Sequence, residues 1–504
     1  MTNIKENWPL YSCLDAATAF EIWESVSPEL SEGQYDYTDT YRRTMALYDP
    51  IIYMTTRGLG VNKDEIENAK ERVGVRRKKA QNSLNEMSGI ELNANSPKQC
   101  IAYFYGTLGY PPYKNNGSIT TDDKALARLA RKGCKEAKLV QEVRTMRKLE
   151  GTYLEVILDK DGRLRCSWNI RGTRMGRLSS SQTIFDTGLN LQNLHSEFKP
   201  FIVADEGMMF FELDKRQSEW VITAYVSNDR NMIDIVESGV DPHAATANAI
   251  TGLPEELIIR EAKELGFLTD EDMLFENRKK LLPEIFDATF LPRSMVCRQA
   301  GKKSNHALNY KEGYKRFALE NELPETESRI IVNRYRDRYC NLPIWWDEVI
   351  NKLSKDRVLV NCFGRPYRFL DEWGYKLWES GIAFIPQSTN ADILIDGMVD
   401  TYNDRESFML PIDMLAQIHD SILNQYPIGD WNNMAKAILR YREHLTPTLT
   451  YDNRIFTVKT DLKIGLNWGV GGKDNKQGML EIEIIDNVKQ MAELLEASYA
   501  KIAR

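Results

Sequence analysis

Cysteine is scarce here and follows no pattern. Cys13, Cys100, Cys134, Cys166, Cys297, Cys340 and Cys362 are scattered over 504 residues, odd in number and never in CxxC spacing. A disulfide scaffold and structural zinc are both disfavoured, and a reducing cytoplasm fits. Histidine is scarcer still, at five, with no HExxH or HxH spacing, so a histidine-ligated metal is not expected. No run of about 18 apolar residues occurs, which excludes a helical membrane span. The start, MTNIKENWPLYS, lacks the basic and then apolar pattern of a secretion signal. Internal repeats and low-complexity tracts are missing too.

What is present is ordinary globular material: 42% hydrophobic and 28% charged residues, enough for a sizeable core spread over roughly three domains. The formal charge is −7, yet Lys124–Ser180 carries 15 Lys/Arg against 6 Asp/Glu. A basic stripe on an acidic body suits a lobe that grips a polyanion.

Periodicity suggests a mostly helical first third, with a charged helix over Asp64–Asn85 and a helix start at Ser96–Pro97. Thr152–Trp168 reads as strands around a Lys-Asp-Gly turn, and MMFFELD (Met208–Asp214) as an apolar strand ending on an acid. A helix-rich block runs from Trp220 to Lys355. VLVNCFGRPYRFL then reads as a hairpin, Gln387–Tyr402 as a helix, and QIHDS (Gln417–Ser421) sits in a second hairpin. The fold class this implies is α+β.

Three constellations carry chemistry. Asp420 stands amid apolar residues, where burying a carboxylate costs several kcal/mol unless it is compensated. Paired with Asp214, at the end of another strand, it would hold two Mg²⁺ ions. Magnesium takes few protein carboxylates and leaves room for substrate phosphates. In RQAGKKSNHALNYK, the residues Arg298, Lys302, His306 and Tyr310 recur every fourth position and share one helical face. Two cations followed by two rings suit a nucleoside triphosphate, and Lys302 could protonate a leaving pyrophosphate. The segment RGTRMGRLSSSQ, with LNLQN after it, is flexible and cationic, fit for phosphate or minor-groove contact.

Together these residues resemble family A DNA polymerases, the group of bacterial polymerase I and the T7-type phage enzymes. Motif A stands as DKRQSEW…SGVDPHAATA, motif B as RQAGKKSNHALNY and motif C as QIHDS, where the family usually has HDE. GRLSSS…NLQN, GRPYRFL, PQSTNADI and LNANSPKQ…LGYPP follow in the family's order, over roughly residues 11–468. The resemblance implies a right hand with an antiparallel palm sheet and helical thumb and fingers. Its expected divisions are 1–35 as the end of an exonuclease domain, 36–65 as a helix at the palm base and 66–150 as thumb. Palm with motif A would follow at 151–225, fingers at 226–394, palm with motif C at 395–468 and a C-terminal extension at 469–504.

It also implies roles. Asp214 and Asp420 would be the metal carboxylates, and Arg298, Lys302, His306, Tyr310, Glu219, Gln217 and His243 would bind the dNTP. Arg177, Gln387, His419, Asn190, Gln192, Asn193 and Arg174 would contact DNA. Glu219 would exclude a 2′-hydroxyl. The departures are His306 in place of a phenylalanine or tyrosine, Ser421 in place of the second motif C carboxylate, and Lys215 and Lys311 in place of a tyrosine and a glycine. The two lysines would make the pocket more cationic. LYSCLDAATAFEIW, with Tyr11 and Asp15, resembles the last exonuclease motif. The chain is therefore expected to lack its own proofreading, with a separate exonuclease or a processivity protein as possible partners. A phage source, and so a host cytoplasm, is the expected setting. The competing readings are a single-subunit RNA polymerase and a non-catalytic protein that only grips primer–template DNA.

Overall fold

The computed structural model describes residues 8–115, 117–268, 271–288, 291–293 and 295–503. Its centre is a five-stranded antiparallel sheet in the spatial order Asp413–Ile418, Ser421–Pro427, Met208–Lys215, Thr460–Gly465, Leu480–Ile482. The apolar strand ending on Asp214 is therefore central, flanked by the QIHDS hairpin on one side and a late strand on the other.

Side chains alternate across a strand, and that rule sorts the central one. Met209, Phe211 and Leu213 face a core shared with Ile422, Leu462, Met398, Ile438 and Tyr441. Phe210 faces the opposite core, with Leu423, Leu415, Leu191 and Phe198. Each such side chain contributes about 1.5–3 kcal/mol by leaving water, so both faces of the strand are pinned. Glu212 and Asp214 fall on the Phe210 side, while Lys215 falls on the Met209 side.

The C-terminal segment belongs to this core. Leu480–Ile482 forms the edge strand, and Met491, Leu495 and Ile502 of the helix Val488–Ile502 pack into the cluster that holds Phe211.

Helices stand on either side. Lys63–Ser88 is started by Asn62, whose side chain accepts from Glu65 N, and stopped by left-handed Gly89. With the helix Lys135–Lys148 it encloses Leu84, Phe104, Leu126 and Val140. On the other side the helix Cys297–Leu308 lies against Pro242–Thr251. Gly301 makes that approach possible, because a Cβ there would stand 2.1 Å from His243 O and 2.9 Å from Ala247 N.

One expectation fails locally. Thr152–Leu158 is no strand: Leu149–Leu154 continues the preceding helix as a wider turn, since Val143, Met146, Leu149 and Tyr153 keep one buried face. Only Ser167–Asn169 of that region pairs as strand. The basic stripe is partly consumed by internal pairs, Arg128 and Arg131 with Glu322 and Arg165 with Asp159 and Asp161. The helix Trp8–Val26, which contains Tyr11 and Asp15, buries none of its residues. Among the described residues no helix is long and apolar enough to cross a membrane.

Candidate active site

Asp420 occupies the two-residue turn between Ile418 and Ser421, which are ladder partners. His419, the other turn residue, takes the left-handed φ of 51° that such hairpins demand, and Gln417 Nε2 donates to its carbonyl at 2.5 Å. Ser421 pairs across the ladder with Asp214, and Lys215 N donates to Asp420 O at 3.0 Å. Two acids remote in sequence thus end on adjoining strands. Asp420 does not cap its own turn. Its carboxylate accepts from Ser218 Oγ at 3.1 Å and Asn390 Nδ2 at 2.8 Å.

Both aspartates are short of positive charge. Burial raises the Asp214 pKa, Glu212 and Asp420 add to this, and Lys463, donating from 3.2 Å, only partly offsets it. Burial also raises Asp420, with Glu219 adding to it, against Arg177 at 3.9 Å. Among the described residues no group of three His, Cys, Asp or Glu forms a preformed metal cage. Paired carboxylates open to further oxygen ligands are a donor set that suits Mg²⁺.

Glu219 is the second focus. Its carboxylate accepts from Arg177, from the Tyr310 hydroxyl and, at 3.3 Å, from Gln387 Nε2. Burial and the Glu219 charge hold Tyr310 protonated, far above its ordinary range. Arg177 stays ionised because Glu219 and Asp420 outweigh its burial.

The helix Cys297–Leu308 closes the opposite wall. Lys302, His306 and Tyr310 line a cavity of about 230 Å³ with Glu219, His243 and Asp420. Arg298, one turn before Lys302, donates to Asp241 Oδ2 at 2.6 Å, and the same Asp241 caps the helix Pro242–Thr251 through His243 N and Ala244 N. His243 Nδ1 lies 3.1 Å from Asn305 Nδ2, which fixes it as an acceptor. Burial lowers its pKa to about 4 and also lowers that of His306, beside Lys302. Gln217 starts the Glu219 helix with a φ of 50° and lines the same cavity.

Other candidates stand further off. Gln192 Nε2 reaches Gln417 Oε1 at 3.3 Å, beneath the His419 turn. Asn190 caps its own turn through Gln192 N, and the Asn193 carbonyl accepts from Tyr153. Arg174 is paired with Asp371. The expectation that Lys215 and Lys311 make the pocket cationic is wrong for both. Lys215 points into the core on the far side of the strand, donating to Leu445 O and Val458 O at 2.5 Å. Lys311 adopts a φ of 66°, the conformation for which glycine is suited, and pairs with Asp347 at 3.1 Å. Ser218 and Asn390, which hold Asp420, and Asp241, which holds Arg298, each lie inside a quoted motif but were not singled out by the sequence. Nor were Glu212 and Lys463.

The model of DNA polymerase family A matches residues 63–266 and 282–470. The chain belongs to that family. Among curated proteins it is 23% identical over 482 residues to DNA polymerase I of Borreliella burgdorferi, covering 91% of this chain and 47% of that one. To the thermostable DNA polymerase I of Thermus aquaticus it is 24% identical over 402 residues, covering 76% and 42%. The chain therefore spans less than half the length of these relatives. The solved POL domain of Pol1 from M. smegmatis, in complex with DNA primer-template and dNTP, shares the fold at a TM-score of 0.68. It is 20% identical and covered to 70%, against 84% of this chain. The α+β right hand of a family A polymerase is the architecture of this chain, with the five-stranded sheet as its palm.

Proposed function

We propose that this family A chain is a DNA-directed DNA polymerase, extending a primer 3′-hydroxyl with dNTPs on a template strand during replication in the cytoplasm. The observation that carries this is Asp214 paired across the ladder with Ser421, next to the turn whose Asp420 lines a cavity with Lys302, His306 and Tyr310. Asp214 and Asp420 would hold two Mg²⁺ ions, which when bound supply Lewis-acid stabilisation of the attacking and leaving oxygens of an in-line displacement.

The chain's own groups do the rest. Arg298 and Lys302, one helical turn apart, bind the triphosphate as fixed cations; Arg298 is oriented by Asp241 before substrate arrives. The 3′-hydroxyl loses its proton to solvent as its oxygen attacks the α-phosphorus, the bond from the α-phosphorus to the oxygen bridging the β-phosphate breaks, and Lys302 donates a proton to the departing pyrophosphate. Neutral His306 and Tyr310 meet the sugar and base. Glu219, held by Arg177, Tyr310 and Gln387, excludes a 2′-hydroxyl. That favours deoxynucleotides and sets this reading above an RNA polymerase. Arg177 and Gln387 read minor-groove acceptors common to correct pairs, while Arg174, His419, Asn190, Gln192 and Asn193 contact the primer–template at longer reach.

Primer extension with Mg²⁺ and each dNTP, run beside the four rNTPs, tests the proposal. Asp420→Asn should abolish extension and leave primer–template binding intact. Extension that survives this change refutes the metal assignment, and extension equal with rNTPs refutes the role of Glu219.

A further inference from the structure

Ser421 removes a carboxylate from the place where the family's motif C usually has one, and the structure supplies another within a hydrogen bond of it. Glu212 Oε1 accepts from Ser421 Oγ at 2.6 Å. The two belong to adjoining strands, Ser421 opposite Asp214 and Leu423 opposite Glu212. Residues i and i+2 share a strand face, so Glu212 lies on the Asp214 side of the sheet.

Its surroundings do not explain it as a structural charge. Glu212 is only 8% exposed, and among the described residues that hydroxyl is its one hydrogen-bond donor. Lys463 is its ladder partner across the other edge and feels its charge, while the ammonium makes its hydrogen bond to Asp214, at 3.2 Å. Lys199 is near enough to feel its charge but lies over the Trp468 ring, 4.5 Å from its centre. Among the described residues no ion pair reaches Glu212 directly, so part of the cost of burying its charge is left uncompensated. A divalent cation bound alongside would offset that cost.

We propose that Glu212 is a transposed motif C carboxylate: the negative charge lost at position 421 has crossed the ladder to position 212, where it orients Ser421 and supports cation binding by Asp214 and Asp420. Glu212 is a positioning residue, acting through the Ser421 hydroxyl and its field rather than by touching substrate. The inference rests on the polymerase reading above.

Glu212→Gln, Ser421→Glu and the double variant E212Q/S421E test it, with Mn²⁺ binding read by electron paramagnetic resonance without DNA or nucleotide. The Mg²⁺ dependence of primer extension and the melting temperature are followed in parallel. Outer partners of metal ligands typically change affinity by about 10–100-fold. E212Q is expected to weaken Mn²⁺ binding at least about tenfold and to raise the Mg²⁺ needed for half-maximal extension by a similar factor. The double variant, with the charge moved back, should recover most of both. Unchanged Mn²⁺ affinity in E212Q overturns the proposal, whether or not the melting temperature falls; a fall would make Glu212 a cross-strand partner of Lys463 alone. Failure of the double variant to recover binding, while melting like the parent, overturns it equally. If the parent itself neither binds Mn²⁺ nor extends a primer, the polymerase reading fails first, and the proposal with it.

Discussion

Lys215, next to Asp214 in sequence and on the other side of the sheet in space, lends itself to a quantitative test. It is 4% exposed, with its Nζ donating to Leu445 O, Val458 O and Thr460 Oγ1. Burial pushes its pKa from 10.5 down to about 7, against the smaller opposing fields of Asp461 and Asp420. Between these two values the unfolded chain keeps a proton that the folded protein has released. Stability therefore rises with pH through that window, and the full penalty of the buried charge applies below about pH 7. At about 1.4 kcal/mol per pH unit the whole window is worth about 5 kcal/mol as an upper bound, of which about 3 kcal/mol falls between pH 7 and 9.5.

Denaturant unfolding of the wild type and Lys215→Met, in EDTA at pH 6.5, 8 and 9.5, isolates this contribution. All other titrating groups cancel in the difference between the two proteins. The wild type should gain about 3 kcal/mol on the variant across the alkaline range. The absolute order at low pH is set separately, because methionine leaves two buried carbonyls without their donor at about 1–3 kcal/mol each. Parallel curves would refute the reasoning: the three acceptors would then be holding Lys215 charged throughout.

Gly301→Ala places a methyl against two main-chain atoms that cannot swing aside, His243 O and Ala247 N. It should cost about 1–3 kcal/mol and raise KM for dNTP more than it changes primer–template affinity, read by extension kinetics and DNA binding. Glu219→Ala frees Arg177 and leaves the buried Tyr310 hydroxyl without its acceptor. Discrimination against rNTPs should fall at least about tenfold, for a lost contact of about 1.5–3 kcal/mol, as measured by the ratio of kcat/KM values; an unchanged ratio removes Glu219 from sugar selection.

What the sequence revealed depended on whether one local rule was sufficient. The Asp214 strand and the QIHDS hairpin were legible because alternation, a two-residue turn and Pro427 agree. Arg298, Lys302, His306 and Tyr310 were legible as a face because their spacing is helical. Thr152–Leu158 misled because Tyr, Val and Ile favour strands while the tertiary contacts of Leu149 and Tyr153 favour the helix. Lys215 misled for a different reason. Neighbours on a strand point to opposite faces, so its proximity in sequence to Asp214 excludes it from the same cleft, and the alternation that placed Phe211 and Leu213 in the core placed Lys215 there too. The same alternation marks Glu212 as a companion of Asp214, a signal that motif comparison overlooks because the family's motif A pattern begins at the aspartate. Asp241 could not be found this way, since its link to Arg298 joins segments 57 residues apart.

The raised pKa values of Asp214 and Asp420 point to a cleft assembled at the expense of stability. A carboxylate whose folded pKa is raised is destabilising while ionised, and the cost is relieved only as pH falls through that pKa. Near neutrality, without cations, Asp214 faces Glu212 and Asp420 with Lys463 as its nearest counter-charge. Asp214→Asn removes one of three like charges and leaves Lys463 opposite Glu212 on the ladder. In EDTA the variant should therefore be at least as stable as the wild type. A ligand present at 10–100 times its Kd stabilises the folded state by about 1–3 kcal/mol, so in Mg²⁺ the wild type should gain by that order and the variant much less, and their melting temperatures should change places. If Mg²⁺ raises both equally, or if the variant is the weaker protein under both conditions, the charges at this site are balanced internally and are not held in reserve for a metal.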